Sequence, residues 1–365
     1  PYLIGIYDQT TILPGNSEDA IRPSSAPNPD LRWEKTQSAN IGMDLSLWDN
    51  IISLSVDYYY RKGTDLIGLR MLPLETGYTS TTVNWAQMEN EGVEVALTTR
   101  NIHTKDFTWF TNLNFGYNDN TVLRETVAEN AIRPSREGYS VGAIFAYKTA
   151  GLDDEGYPLF LTQDGRKVTA TEFFKLNNAG ASTLSAEEQR NLYSYIGSTE
   201  PKVSGGFMNT FKYKRVTLGI NCIFNFGMYV QTTPTYDPTN YDRGLNSNQD
   251  ILNRWTPDHT NTTLPKLMTE NDGRTGEYLR YKEQNLFREL DIWVKKQNYF
   301  RFESIRLGYE LPEKWLKPVG IKSASVSLEG RNLWVIASNY HNYLDPETMG
   351  NPYAAPIPKS FIFGL

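Results

Sequence analysis

Paired runs of period-two alternation, joined by connections that are short and long in strict turn, constrain this chain more than any other feature. The first run lies in "NPDLRWEKTQSANIGMDLSLWDN", residues 28–50. From Asn40 onward, Ile41, Met43, Leu45 and Leu47 fall on one face, and Asn40, Gly42, Asp44 and Ser46 on the other. Alternation of this length reads as a β-strand, spanning about 38–48, between two different environments. The tight turn "WDN" follows. Ile52, Leu54, Val56, Tyr58 and Tyr60 then oppose Ser53, Ser55, Asp57, Tyr59 and Arg61, which completes a hairpin.

The same unit recurs along the chain. A long loop of about 64–90 leads to "GVEVALTTR", the short turn "NIHTKD" and "FTWFTNLNFGYN". A second excursion, about 119–200, leads to "KVSGGFMNTFKY", which turns at Lys214 and Arg215 into "VTLGINCIFNFG". A third loop, about 229–298, leads to "YFRFESIRLGYEL", then "PEKWLKPVG", "SASVSLEGRNLWVI", a loop to about 357 and "SFIFGL". About nine strands result, with every short turn at one end of the sheet and every long loop at the other. Soluble sandwiches do not usually sort their connections this way, and their apolar face points inward. Transmembrane barrels do: short periplasmic turns, long extracellular loops, and aromatic girdles at both interfaces. Aromatic residues here gather at strand ends, as with Trp48, Tyr58 to Tyr60, Tyr117 and Tyr309. The pattern therefore predicts an all-β antiparallel transmembrane barrel, apolar face to lipid and polar face to a watery lumen.

Composition narrows the chemistry. Three histidines and one cysteine, Cys222, leave no spacing for a zinc site, a disulfide framework or a Cys/His nucleophile pair. The net charge of −6 and the lack of a concentrated basic run argue against a nucleic-acid partner. No run approaches the roughly eighteen apolar residues of a membrane helix. The mean hydropathy of −0.51 fits a soluble protein, but it fits a barrel equally, because barrel strands alternate. The opening "PYLIGIYDQT" has neither a basic start nor a cleavage site.

At this point the residues carry a family resemblance. "NPDLRWEKTQSANIGMDLSLWDN" with "SVDYYYRKGTDLI" resembles the signature hairpin in the C-terminal half of SusC/RagA-like TonB-dependent outer-membrane transporters. "NEGVEVAL", "GSTEPKVSGGFMNTFKYKRVTLGI", "NRWTPDHTNTTLPKL", and "IWVKKQNYFRFESIRLGYELP" with "SLEGRNLWVIASNYHNYLDPE" resemble further family segments in the same order. The resemblance covers nearly the whole chain. It implies a barrel of about 22 strands around a plug, of which residues 1–365 would supply the C-terminal portion without the plug domain or N-terminal strands. Nine strands alone would leave two unpaired edges in hydrocarbon. "SFIFGL" is expected to close against a strand outside this sequence.

The resemblance further implies import of oligomers, most often glycans and sometimes peptides, across the outer membrane of a Gram-negative bacterium. Its partners would be a SusD-like surface lipoprotein and the TonB–ExbB–ExbD energising complex, with membrane lipid around the barrel; it implies no cofactor, no metal and no enzymatic activity. A soluble all-β carbohydrate-binding module is the alternative from a different class. Candidate substrate contacts in the loops are Trp85, Tyr236, Tyr241, Trp255, Tyr340 and Tyr343, aromatics suited to stacking on sugar rings. Strand parity adds Asp44, Asp57, Arg61, Glu94, Asn112, Asn114 and Arg331 as lumen candidates. Asp345 and Glu347 in "LDPET" could pass for a glycosidase pair, but two positions on an irregular loop do not establish that geometry. "LDDEGYPLF" and "TQDGRK" lack the spacing of an EF-hand and read as solvated turns. "TGEYLRYKEQNLFREL" reads as a short helix within the third loop, and Cys222 as a lipid-facing strand residue.

Overall fold

The computed structural model describes residues 5–12, 19–23, 26–72, 74–78, 80–128, 130–240, 247–339, 345–351 and 353–365. Nine strands form one sheet in which every neighbour in space is a neighbour in sequence. They are β1 (Lys35–Leu47), β2 (Ile52–Met71), β3 (Ser80–His103), β4 (Phe107–Arg124), β5 (Val203–Tyr213), β6 (Val216–Phe226), β7 (Tyr299–Glu310), β8 (Ser325–Ala337) and β9 (Ser360–Gly364). All eight pairings are antiparallel. β1 and β9 are the two edges, and they do not pair with each other.

Residues directly opposite in an antiparallel ladder share a face. One row therefore runs Gly42, Asp57, Glu94, Gly116, Ser204, Asn225 and Tyr299. The adjacent row, on the other face, runs Met43, Val56, Val95, Phe115, Gly205, Phe224 and Phe300. One side of the sheet is polar and the other apolar, as the alternation predicts. Cys222 falls on the apolar face but has no exposed surface. It lies opposite Phe207 and Phe302, whose bulk stands where lipid contact was expected.

The connections at one end are 48–51, 104–106, 214–215 and 311–324, and those at the other are 72–79, 125–202, 227–298 and 338–359. The first turn places Trp48, Asp49 and Asn50 at positive φ, which tightens it. The expected loop over 64–90 is mostly strand, because β2 and β3 continue to Met71 and from Ser80. Register shifts at Gly63/Leu66, Leu66/Ile67 and Gln87/Met88 break the period of two there, so the alternation fails although pairing continues. Strands of 20 and 24 residues exceed the roughly 9–11 that cross a bilayer. This hairpin stands well clear of the membrane.

The buried apolar core is not in the sheet. It lies in the connections 125–202 and 227–298, which contain α1 (Ala170–Phe174), α2 (Ala186–Arg190) and α3 (Thr275–Gln284). Tyr147, Phe160 and Phe174 from the first pack with Tyr281, Phe287 and Trp293 from the second. Backbone bonds lock the two together: Tyr147 N donates to Glu289 O at 2.8 Å, and Asp291 N donates to Tyr147 O at 3.0 Å. Arg274 joins Asp153 at 2.7 Å, and the Tyr157 hydroxyl donates to Asp272 at 2.9 Å. Burial raises the Asp272 carboxyl, yet hydrogen bonds from Thr269, Lys266 and Tyr157 outweigh it and hold the group well below the usual carboxylate range. α1 begins at Thr169, whose side chain accepts from Glu172 N, and α2 begins with a capping box of Ser185 and Glu188. α3 is the helix expected in "TGEYLRYKEQNLFREL". The turn read as solvated at 153–157 is organised by Asp153, which accepts from the amides of Glu155 and Tyr157 and binds Arg274.

Two neighbours on β6 test the face assignment. Ile220→Arg places a cation on the apolar face and is expected to cost about 2–4 kcal/mol and to reduce folded protein in the membrane. Asn221→Arg, facing the polar side beside Glu303, is expected to assemble normally. Heat-modifiable migration of the full-length protein measures both, and equal damage would refute the faces.

Candidate functional site

The polar face groups several of the sequence-selected residues. The Asp57 carboxylate lies across Gly42, where a Cβ would stand 2.3 Å from its Oδ1, so a larger residue at this position of β1 would push the carboxylate aside. With Glu94, Asn114 and Ser204, Asp57 lines a shallow recess of about 370 Å³. Arg61 lies over the Tyr59 ring at 5.2 Å, and Asn112 accepts from the Thr98 hydroxyl at 2.8 Å. Asp44 shares this face from β1, opposite Ser55. Arg331 is on β8, far across the sheet, donating to Glu329 at 2.6 Å. The structure therefore brings Asp57, Glu94 and Asn114 together and leaves Arg331 apart.

The loop candidates divide differently. Tyr236 is buried, its hydroxyl donating to Pro265 O at 2.7 Å. Trp255 packs on the turn at Gly156, whose absent Cβ would lie 2.5 Å from the indole. Trp85 is half exposed on β3, with Arg124 stacked 4.4 Å above its ring. Tyr241, Tyr340 and Tyr343 lie outside the described residues.

Three connections enclose a cleft of about 910 Å³, lined by Arg133 from 125–202, Asp237, Tyr281 and Arg288 from 227–298, and Gly350 and Tyr353 from 338–359. A second hollow of about 460 Å³ shares Arg133, Gln231 and Glu289 with it, so the two form one groove. Arg133 and Glu289 pair across it at 3.4 Å, and Tyr193 donates to the same carboxylate. The groove carries charges of both signs beside aromatic rings, a surface that can hydrogen-bond and stack along an extended ligand.

The wall and the loops meet at Arg301. It stands on β7 opposite Ile223, in the same row as Gly206 and Asn114, and therefore on the polar face. Its side chain is only 3% exposed. The guanidinium donates to Asp345 at 2.5 Å through one terminal nitrogen and to Glu347 at 2.7 Å through Nε. The two carboxylates that resemble a glycosidase pair are thus both committed to one arginine. The Glu347 amide also donates to Asp345, at 3.0 Å. This triad ties 338–359 to the barrel wall and so sets Gly350 and Tyr353 into the cleft. Sequence reasoning selected Tyr236, a buried residue at the groove's edge, but neither Arg301 nor the other groove residues. The one signal for Arg301 was a basic residue at polar-face parity between two phenylalanines, in a chain that also holds "LDPE".

A two-faced antiparallel wall with all its elaborate loops at one end is the wall of an outer-membrane barrel. The chain belongs to the TonB-dependent receptor family: residues 6–333 match the family described as TonB dependent receptor-like, beta-barrel, a family of outer-membrane barrels of Gram-negative bacteria. It is similar to TonB-dependent receptor P3 of Formosa agariphila, with 28% identity over 93% of this chain and 34% of that protein. It is also similar to TonB-dependent receptor SusC of Bacteroides thetaiotaomicron, with 23% identity over 93% of this chain and 32% of that protein. The solved RagAB peptide transporter shares the fold, with a TM-score of 0.74 at 24% identity over 99% of this chain and 38% of that one. The RagAB peptide importer in its open-open state gives 0.70 at 23% identity, over 98% of this chain and 36% of that one. The chain spans about a third of the length of the curated relatives it matches.

Arg301→Met leaves two carboxylates without their cation, and breaking such a buried pair costs about 3–5 kcal/mol. The expected result is a barrel that still assembles but is cleaved faster by protease within 338–359. Arg301→Lys, which keeps the charge but cannot reach both partners in a fork, is expected to fall between. An unchanged cleavage rate for Arg301→Met would remove the tie between loop and wall.

Proposed function

We propose that the protein to which this chain belongs imports oligomeric nutrients, glycans first, across the outer membrane, driven by TonB–ExbB–ExbD and assisted by a SusD-like surface lipoprotein. The single observation that carries this reading is the match of residues 6–333 to the receptor barrel family. The geometry supports it: a polar wall continues upward into a folded loop assembly that holds an open groove. On this reading the open edges of β1 and β9 are completed by strands beyond this sequence, since an unpaired edge in hydrocarbon costs several kcal/mol per group. The chain itself binds and passes substrate and performs no covalent step. Release is an energised conformational change in the remainder of the receptor.

A peptide substrate is the second reading. It is favoured by the mixed charge of the groove, where Arg133 and Arg288 face Asp237 and Glu289, an arrangement suited to the termini and side chains of a peptide.

Deletion of the full-length gene is expected to abolish growth on one class of oligosaccharide while sparing growth on its monosaccharide, and loss of TonB is expected to do the same. The receptor should leave detergent extracts together with a lipoprotein. Growth lost on oligopeptides alone would select the second reading. A full-length protein that is monodisperse in water without detergent would refute both.

A further inference from the structure

Most aromatic residues of the long connections are consumed by the core. Tyr139 and Tyr195 are not. Their rings stack at 4.6 Å with an interplanar angle of 30°, and they are 39% and 41% exposed. Phe145 buttresses both, edge-on at 5.3 Å and 5.9 Å, and the strands that carry Phe145 and Tyr195, Ala143–Ala146 and Ser194–Ser198, pair with each other. The platform is therefore fixed by backbone bonding. It borders a cleft of about 230 Å³ that also takes in Asn118, Asp119, Glu200 and Lys202.

The polar side of this cleft is unevenly satisfied. Asp119 and Lys202 pair at 3.3 Å, and the Asn118 carbonyl oxygen accepts from the Tyr59 hydroxyl at 2.8 Å. One oxygen of Glu200, Oε2, is buried with no hydrogen-bond partner among the described residues, an arrangement that costs free energy unless a water or a ligand fills it. Burial pushes this carboxyl above its ordinary value, and its free oxygen is placed to accept a hydroxyl. Asn118 stands on the polar face of β4, two residues along from Gly116, and its backbone N–H donates to Lys202 O at 3.0 Å where the connection 125–202 returns to β5. The cleft thus straddles the rim of the barrel wall, with Asn118 on the polar face of β4 and Asp119 on the other.

We propose that Tyr139, Tyr195 and Glu200 form a subsite for one sugar ring of the imported oligosaccharide. A tyrosine face takes the apolar C–H face of a pyranose, and a carboxyl group with an amide and an ammonium beside it takes its hydroxyls. The volume lies below the roughly 300–1,000 Å³ of whole-ligand pockets, which suits a single residue of a chain whose remainder lies along the larger groove. This inference rests on the glycan reading of the function.

The test uses the full-length receptor with its lipoprotein in detergent and the oligosaccharide on which growth depends, with affinity read by calorimetry. Tyr195→Ala and Glu200→Gln are each expected to weaken binding by about tenfold, the scale of one well-made contact, while Tyr195→Phe binds as the wild type does. Heat-modifiable migration checks that each variant assembles. If Tyr195→Ala fails to assemble, Glu200→Gln and Tyr139→Ala decide the matter by the same criterion. Wild-type affinity in assembled Tyr139→Ala and Glu200→Gln variants would overturn the subsite and leave the glycan reading standing. Failure of the wild-type receptor to bind any oligosaccharide, with binding of oligopeptides instead, would overturn the glycan reading and the subsite with it. Loss of the lipoprotein rather than of sugar from Tyr195→Ala would also overturn it, by making the platform a protein contact.

Discussion

Backbone hydrogen bonding in a medium without water is the constraint from which the rest of this structure follows. A strand inside hydrocarbon must satisfy its amides and carbonyls through its neighbours, so the sheet is a continuous antiparallel ladder from β1 to β9. Once the ladder is continuous, a single parity choice propagates. Met43, Val56, Val95, Phe115, Phe224 and Phe300 cannot be moved to the polar side one at a time, because a one-residue slip in any strand turns all its side chains over. The wall has no core of its own. Its apolar residues face outward, and the stabilisation that a soluble sheet gains by burying one face against another must come from lipid on one side and from polar contacts on the other.

That arrangement explains where the buried apolar residues are. The connections 125–202 and 227–298 emerge where water is available and cannot use lipid to shield their aromatic side chains. They shield them in each other. Tyr147 stacks on Tyr193 at 4.1 Å and meets Phe174 edge-on at 4.8 Å, and Phe287 meets Trp293 edge-on at 5.2 Å. Two segments separated by the β5–β6 hairpin thus make one packed unit. The loop assembly is a small domain whose chain passes through the membrane wall between its halves. Its rigidity is what allows a groove and an exposed tyrosine pair to hold a shape.

Much of this was legible in the sequence, and the failures have physical causes. Strands such as β6 showed their faces because Val216, Leu218, Ile220, Cys222, Phe224 and Phe226 alternate with Thr217, Gly219, Asn221 and Asn225, with Ile223 alone breaking the pattern. The upper halves of β2 and β3 were read as loop because bulges shift parity while leaving the ladder intact, and alternation is all that a sequence displays of a ladder. Asp57, Glu94 and Asn114 were found from parity and do come together. The groove was invisible for a different reason: Arg133, Tyr281 and Tyr353 are brought together by the packing of three separate connections, and no local pattern encodes that. Tyr236 had the right composition for a ligand contact but is used in the core. In aromatic-rich loops, residue type alone does not separate a core ring from a binding ring.

Arg301 shows how the two regimes are joined. The register of β7 against both neighbours shifts beside it, with Phe302 opposite Cys222 and Trp334, and Ser304 opposite Asn221 and Arg331. The extra residue, Glu303, inverts the parity of the strand, so the polar-face positions are Tyr299 and Arg301 on one side of the bulge and Ser304 and Arg306 on the other; Arg301 shares its face with Asn114 and Ile223. A guanidinium so placed would be expensive to bury alone. It is buried because 338–359 returns two carboxylates to it, and both are engaged by that one guanidinium. Wall and loop therefore define each other. The strand register sets the direction of the arginine, and the arginine holds Asp345 and Glu347 of the returning connection against the wall. A receptor built this way can vary its loops widely while keeping the wall, provided that the residues joining them remain paired.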